Sequence, residues 1–90
     1  MRELSAEVLN EIRSVARDEL GHVGPIEPAQ ALRGDLALDS MGMILVAVAL
    51  ENRFRIRLHE EDAETLGTVS DLVALVCRRV AEQRPSQVVA

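Results

Sequence analysis

Aromatic side chains are almost missing from this chain: Phe54 is the only one, with no Trp and no Tyr among 90 residues. Any core must therefore be aliphatic. Lysine is absent altogether, and all ten bases are arginine, a residue that favours specific ion pairs over loose ones. Cys77 is the single cysteine, which excludes a disulfide framework and a Cys-rich metal site. His22 and His59 are far apart, with no Cys or His at ligand spacing, so no zinc site is expected. No apolar run approaches the ~20 residues that span a bilayer, and Met1 to Ser5 runs straight into charged helical sequence without a signal core. A soluble, cytoplasmic, monomeric protein without a membrane partner is the expectation. Positive charge is short as well. Fifteen acids against ten bases leave a net charge of −5, which argues against a nucleic-acid partner.

What remains is ordinary globular composition, 48% hydrophobic and 28% charged. A chain of this length makes one domain and buries roughly 60–65% of its unfolded surface. That suffices for a core of three or four helices but not for a deep catalytic cleft, so no enzyme is expected. Residues 1–84 read as the domain and 85–90, from Pro85 onward, as a flexible tail.

From Ser5 to Leu20, Val8, Leu9, Ile12, Val15, Ala16 and Leu20 fall on one helix face, opposite Glu7, Glu11, Arg13 and Asp18. Ser5 is placed to cap this helix and Gly21 to stop it. Between Gly21 and Asp39 no period holds, and Gly21, Gly24, Pro25, Pro28 and Gly34 punctuate the stretch, with room for a short turn at Pro28–Leu32. A loop this long is uncommon unless functional or disordered. Ile26, Leu32, Leu36 and Leu38 favour a functional loop pinned onto the core. A second helix is predicted from Ser40 to about Phe54, a short helical segment from Glu60 to Leu66, and a last helix from Thr68 to about Gln83. Thr68 and Asp71 form a variant of the capping box at its start, and Val69, Leu72, Val73, Val76 and Val80 make its apolar face. The predicted fold is all-α, with three main helices, one short helix and a long first loop.

The second helix carries more apolar surface than a core needs. Met43, Val46, Ala47, Leu50 and Phe54 share one side at about 100° per residue. Met41, Ile44, Leu45 and Val48 fall on the opposite side, with Glu51, Asn52 and Arg55. Either the long loop folds over this second stripe or it stays exposed, and exposed contiguous apolar surface marks a docking site. Ser40, preceded by Asp39, opens the same helix. Its commonest use would be as an N-cap. A hydroxyl at a helix N-terminus is also where a phosphate is best tolerated, because unpaired N–H groups and the dipole favour negative charge. No His or Lys lies nearby in sequence to make Ser40 a catalytic nucleophile.

The run Gly34-Asp35-Leu36-Ala37-Leu38-Asp39-Ser40-Met41 resembles the DLGxDSL motif of acyl and peptidyl carrier proteins. Leu50-Glu51-Asn52-Arg53-Phe54-Arg55-Ile56 is similar to the LExxFxI that closes their second helix. Asp62-Ala63 followed by Thr68-Val69-Ser70-Asp71-Leu72 is similar to their third and fourth helices. The match runs over nearly the whole chain in order. It implies an acyl-carrier-like four-helix bundle in which Ser40 receives 4′-phosphopantetheine from coenzyme A through a magnesium-dependent phosphopantetheinyl transferase. Asp39 would orient the loop or engage that transferase, and the arm's thiol would carry thioesters between partner enzymes.

The sequence departs from fatty-acid carriers, whose second helix exposes acids to basic partners. Here Gly42, Leu45 and Asn52 stand at those positions, with Arg53, Arg55 and Arg57 following. Charge sets partner choice more than affinity. The expectation is a discrete polyketide-type carrier of secondary metabolism, served by a ketosynthase or acyltransferase and docking through Met41, Ile44, Leu45 and Val48. An amino-acyl or peptidyl carrier loaded by an adenylating ligase is the alternative, and an unmodified helical interaction module the rival from another class. Cys77, beside the Val73/Val76/Val80 face, reads as a buried hydrophobe rather than a reactive thiol. Glu60, Glu61, Asp62 and Glu64 read as a solvated surface rather than a calcium loop.

Overall fold

The computed structural model describes residues 3–83; the tail expected at 85–90 lies outside them. Four helices follow in order: α1 (Leu4–Asp18), α2 (Ser40–Phe54), the short α3 (Glu60–Thr65) and α4 (Val69–Gln83). Among the described residues, no helix is long and apolar enough to cross a membrane.

In α1 the apolar period becomes burial: Val8, Ile12, Val15 and Ala16 face the core. Its ends differ from the sequence reading. Glu3 occupies the cap position, with extended backbone and no side-chain cap bond. Ser5 lies inside the first turn and donates its hydroxyl to the Glu3 carboxylate at 3.3 Å. The helix stops at Asp18. The Glu19 and Leu20 N–H groups both reach the Val15 carbonyl, and the His22 N–H reaches that of Ala16. Gly21, at φ +68°, makes the left-handed step that this closure needs.

The stretch between α1 and α2 is a loop held at many points. Ile26, Leu32, Leu36 and Leu38 are all buried. The Arg13 guanidinium of α1 donates twice to the Ile26 carbonyl, at 3.1 and 2.9 Å. Residues 28–32 are fastened to the start of α4: Leu32 N–H to Gly67 at 2.9 Å, Val69 N–H to Gln30 at 3.0 Å and Ser70 N–H to Pro28 at 2.8 Å. These bonds satisfy main-chain groups that a regular element would satisfy internally, which is how a long aperiodic segment can lie against a core.

At the start of α4 the capping box is reciprocal. The Thr68 hydroxyl accepts the Asp71 N–H at 3.2 Å, while the Asp71 carboxylate accepts the N–H groups of Gly67 and Thr68. These main-chain donors hold the Asp71 carboxyl below its ordinary value. Asp62 corrects the picture of a solvated acidic cluster. Its carboxylate accepts the His59 N–H at 2.8 Å and the Arg79 guanidinium at 2.9 Å. Arg79 also donates to the Arg57 carbonyl, so one α4 side chain clamps α3 and the segment before it. The His59 N–H first, and Arg79 after it, hold the Asp62 carboxyl below its ordinary value against an opposing effect of burial.

The core is aliphatic, built from α1, α2, α4 and the loop anchors, with Phe54 half-buried against it. Arg53 stacks over the Phe54 ring at 5.0 Å and approaches Glu11 at 3.8 Å. Cys77 is half-buried against the core, and desolvation pushes its thiol pKa up, consistent with a small hydrophobe.

Candidate functional site

Asp39, not Ser40, caps α2. Its backbone is extended, and its carboxylate accepts the Gly42 N–H at 2.8 Å. Ser40 is the first helical residue and is exposed; among the described residues no hydrogen bond engages its hydroxyl. The division follows from capping chemistry. One carboxylate oxygen satisfies a first-turn donor that a capping serine would otherwise have to reach. With no acid in the first turn of α2, Asp39 is also the one negative side chain there to meet the positive end of the helix dipole.

Gly42, set by the sequence reading among the exposed positions of the second helix, is instead part of the packing around the cap. It is buried, and a Cβ there would meet a Leu38 methyl carbon at 3.2 Å and an Asp39 carboxylate oxygen at 3.3 Å. Glycine lets the loop close onto the first turn, so the cap bond and the burial of Leu38 coexist. The available signal was a helix-interior glycine one turn after a capping acid, a residue that otherwise weakens a helix.

The fold also brings His22 toward the site. Its side chain shares a cleft of about 320 Å³ with Leu20, Ala37, Asp39 and Gly42. Distance in sequence had hidden this neighbour. On the other side of α2, Met43, Val46, Leu58, Leu66, Leu72 and Leu75 line an apolar void of only about 40 Å³.

The second apolar stripe is not covered by the loop. Met41 is 62% exposed, Ile44 54%, Val48 46% and Leu45 37%. The opposite stripe is divided: Met43, Val46 and Leu50 are buried, whereas Ala47 and Phe54 are half-buried. Glu51, read as solvent-facing, is half-buried and accepts the Leu58 N–H at 2.8 Å. The exposed face of α2 thus presents four apolar side chains beside an exposed serine, with no carboxylate among them.

The fold is similar to that in a solved structure, the crystal structure of an acyl carrier protein from Thermotoga maritima. The two superpose with a TM-score of 0.82 at 18% identity, over 92% of this chain and 98% of that one. A family model described as "Phosphopantetheine attachment site" matches residues 10–76, from α1 through Ser40 into α4. The chain therefore belongs to the phosphopantetheine attachment site family, as a carrier domain rather than a catalyst, with covalently bound 4′-phosphopantetheine as its prosthetic group.

Proposed function

We propose that Ser40 is the attachment residue and that the chain tethers acyl intermediates in polyketide or related secondary metabolism. One observation carries the assignment: Ser40 stands exposed at the head of α2 with its hydroxyl unengaged, because Asp39 has taken over the cap. The site suits a phosphate ester. The oxygen to be esterified is accessible, and the first-turn N–H groups and dipole favour the negative charge that arrives with it. Asp39 holds the turn in place, and Gly42 lets the loop approach. When attached, the group supplies a terminal thiol that holds acyl chains as thioesters.

The chain's own part is presentation. Ser40 fixes the anchor point, and tethering raises the local concentration of cargo at each docked enzyme. Met41, Ile44, Leu45 and Val48 form the face met by the phosphopantetheinyl transferase and by a ketosynthase, acyltransferase or comparable loading enzyme. The carboxylate-free face supports a dedicated partner set over the acid-led docking of fatty-acid carriers. The compact aliphatic domain is read as a cytoplasmic monomer comprising residues 1–84.

Incubation with coenzyme A, magnesium and a broad-specificity transferase, followed by intact-mass measurement, tests the attachment. Wild type should gain one phosphopantetheine and Ser40→Ala none. Failure of the first, or success of the second, overturns the assignment. The native thioester, identified on protein from its source, should be a polyketide-type acyl group; an amino-acyl or fatty-acyl group would refute the pathway.

A further inference from the structure

Basic side chains collect at the end of the domain opposite Ser40. α2 has 15 residues at about 1.5 Å each, so roughly 20 Å of helix separates Ser40 from the arginines that follow Phe54. In that following segment Ile56 is buried and Leu58 half-buried, while Arg55 and Arg57, alternating with them, are exposed. Two bonds from α4 fix the segment: Arg79 donates to the Arg57 carbonyl at 2.9 Å, and Gln83 to the Arg55 carbonyl at 3.0 Å. An open cleft of about 330 Å³ lies there, lined by Arg57, His59, Arg78, Arg79, Glu82 and Gln83.

The arginines of this cleft divide into one that is spent and two that are not. Arg79 takes both nearby carboxylates, Asp62 at 2.9 Å and Glu82 at 3.7 Å. Arg57 and Arg78 are exposed, and among the described residues neither side chain has an ion pair or a hydrogen bond. Cations that share one cleft repel each other. With fifteen acids against ten bases the chain has carboxylates enough to pair them, yet these two are left without one. Each guanidinium offers a planar fork that takes a carboxylate through two N–H donors. An extended polyanion is disfavoured, because the net charge of −5 repels it and Glu82 stands in the cleft itself. A short acidic stretch meets only the local positive charge.

We infer that this cleft binds a short acidic segment of a partner protein, with Asp or Glu side chains of the segment on Arg57 and Arg78. Its place at the far end of α2 leaves Ser40 and the exposed stripe clear. The cleft is therefore a tether point, which holds the carrier in an assembly while its attachment end stays free to visit enzymes. This goes beyond the attachment reading and does not depend on it.

The test titrates a short Asp/Glu-rich peptide, and the matched Asn/Gln peptide, into the ¹⁵N-labelled full chain. The acidic peptide should shift the amides of Arg57, His59, Arg78 and Glu82 and leave those of Ser40, Ile44 and Val48 in place. Its affinity should fall as salt rises. Arg57→Gln/Arg78→Gln should weaken it about fivefold or more, the loss of two exposed ion pairs. The melting temperature of that variant should not fall, because neither side chain has a partner in the fold. Arg33→Gln, at an exposed arginine of the long loop that does not line the cleft, controls for net charge and should leave affinity nearly unchanged. Equal binding of the Asn/Gln peptide, shifts centred on Ser40, an undiminished double variant, or an equal loss in Arg33→Gln would each overturn the cleft. So would tighter binding of phosphatidylglycerol vesicles or of a short oligonucleotide at matched charge, either of which would make the patch a site for another class of partner. Intact mass after transferase treatment, with saturating peptide present, keeps the two readings apart. Modification at the normal rate with peptide bound supports a separate tether point, and modification blocked by the peptide refutes it. A chain that binds the peptide but is never modified, with or without it, refutes the attachment reading alone and leaves the cleft standing.

Discussion

Ile44→Asp and Val46→Asp, two positions apart on α2, should have sharply different consequences. Ile44 is 54% exposed and Val46 1% exposed. Full burial of an aliphatic side chain is worth about 1.5–3 kcal/mol. With about half of Ile44 already in water, its replacement should remove only about 1 kcal/mol. For a domain of this size that is a fall in melting temperature of about 4–8 °C. Ile44 lies in the second turn of α2, so a carboxylate there is not opposed by the helix dipole. Val46→Asp loses the whole burial contribution and places an unpaired charge in an aliphatic core, a combination that costs about 4–5 kcal/mol or more. A domain of this length has a total stability of about 4–13 kcal/mol, so this variant loses a third or more of it and should show a far lower urea midpoint than Ile44→Asp. Without Trp or Tyr, the assay is far-UV circular dichroism in urea, with the midpoint read at constant slope. Ile44→Asp should also still gain its phosphopantetheine while being slowed in transfer to acyl-processing partners. If its urea midpoint falls as far as that of Val46→Asp, the stripe is core and the docking reading fails.

Asp39→Ala should cost about 1 kcal/mol by freeing the Gly42 N–H, whereas Asp39→Asn, which keeps an acceptor, should cost only a few tenths; equal urea midpoints for the two would show that the cap bond contributes nothing. Asp62 and Asp71 both have folded pKa values below the ordinary value of about 3.9, so their stabilisation is present above that pH and is lost as pH falls through the lower folded values. Asp62→Asn and Asp71→Asn should each flatten the acid limb of stability against pH, read from urea midpoints across that range, and an unchanged limb would count against these hydrogen bonds.

Much of the fold was legible because helix periodicity is local. The buried residues of α1 all lie on the face the spacing marked, and the Thr68–Asp71 box formed as read. In α4 Val69, Leu72 and Val76 are buried as marked, Val73 and Val80 are half-buried, and Leu75, which was not marked, is buried too. The four aliphatic anchors announced a pinned loop, but not the means of pinning. The bonds from residues 28–32 to the start of α4, and from Arg13 to Ile26, join residues remote in sequence that carry no period. Asp62 was misjudged for the same reason, since its partner Arg79 belongs to another helix. On α2, the helix start near Ser40 and the exposure of the second apolar stripe were legible from spacing, whereas the attachment role proposed for Ser40 came from the resemblance. Which residue caps was not legible, because Asp39 and Ser40 are both good caps and only the extended backbone at Asp39 decides between them. Arg55 adopts a left-handed conformation, φ 57°, at the C-cap of α2, where glycine would be the usual cue.

The ends of α2 explain how it can leave an apolar face uncovered. At its start the Asp39 carboxylate holds the first turn. At its end the N–H groups of Arg55 and Ile56 close onto the Glu51 carbonyl, and the Glu51 carboxylate takes the Leu58 N–H. Met43, Val46 and Leu50 anchor the inner face. None of these restraints uses Met41, Ile44 or Val48, so the helix does not depend on covering them. Protein helices owe most of their stability to one packed face and to their caps. Because α2 has both without its outer stripe, substitution on that stripe is coupled only weakly to folding, which suits the docking role proposed for it. The same separation places Ser40 beside the stripe with its hydroxyl unspent, so the attachment point and the docking surface proposed above share one helix.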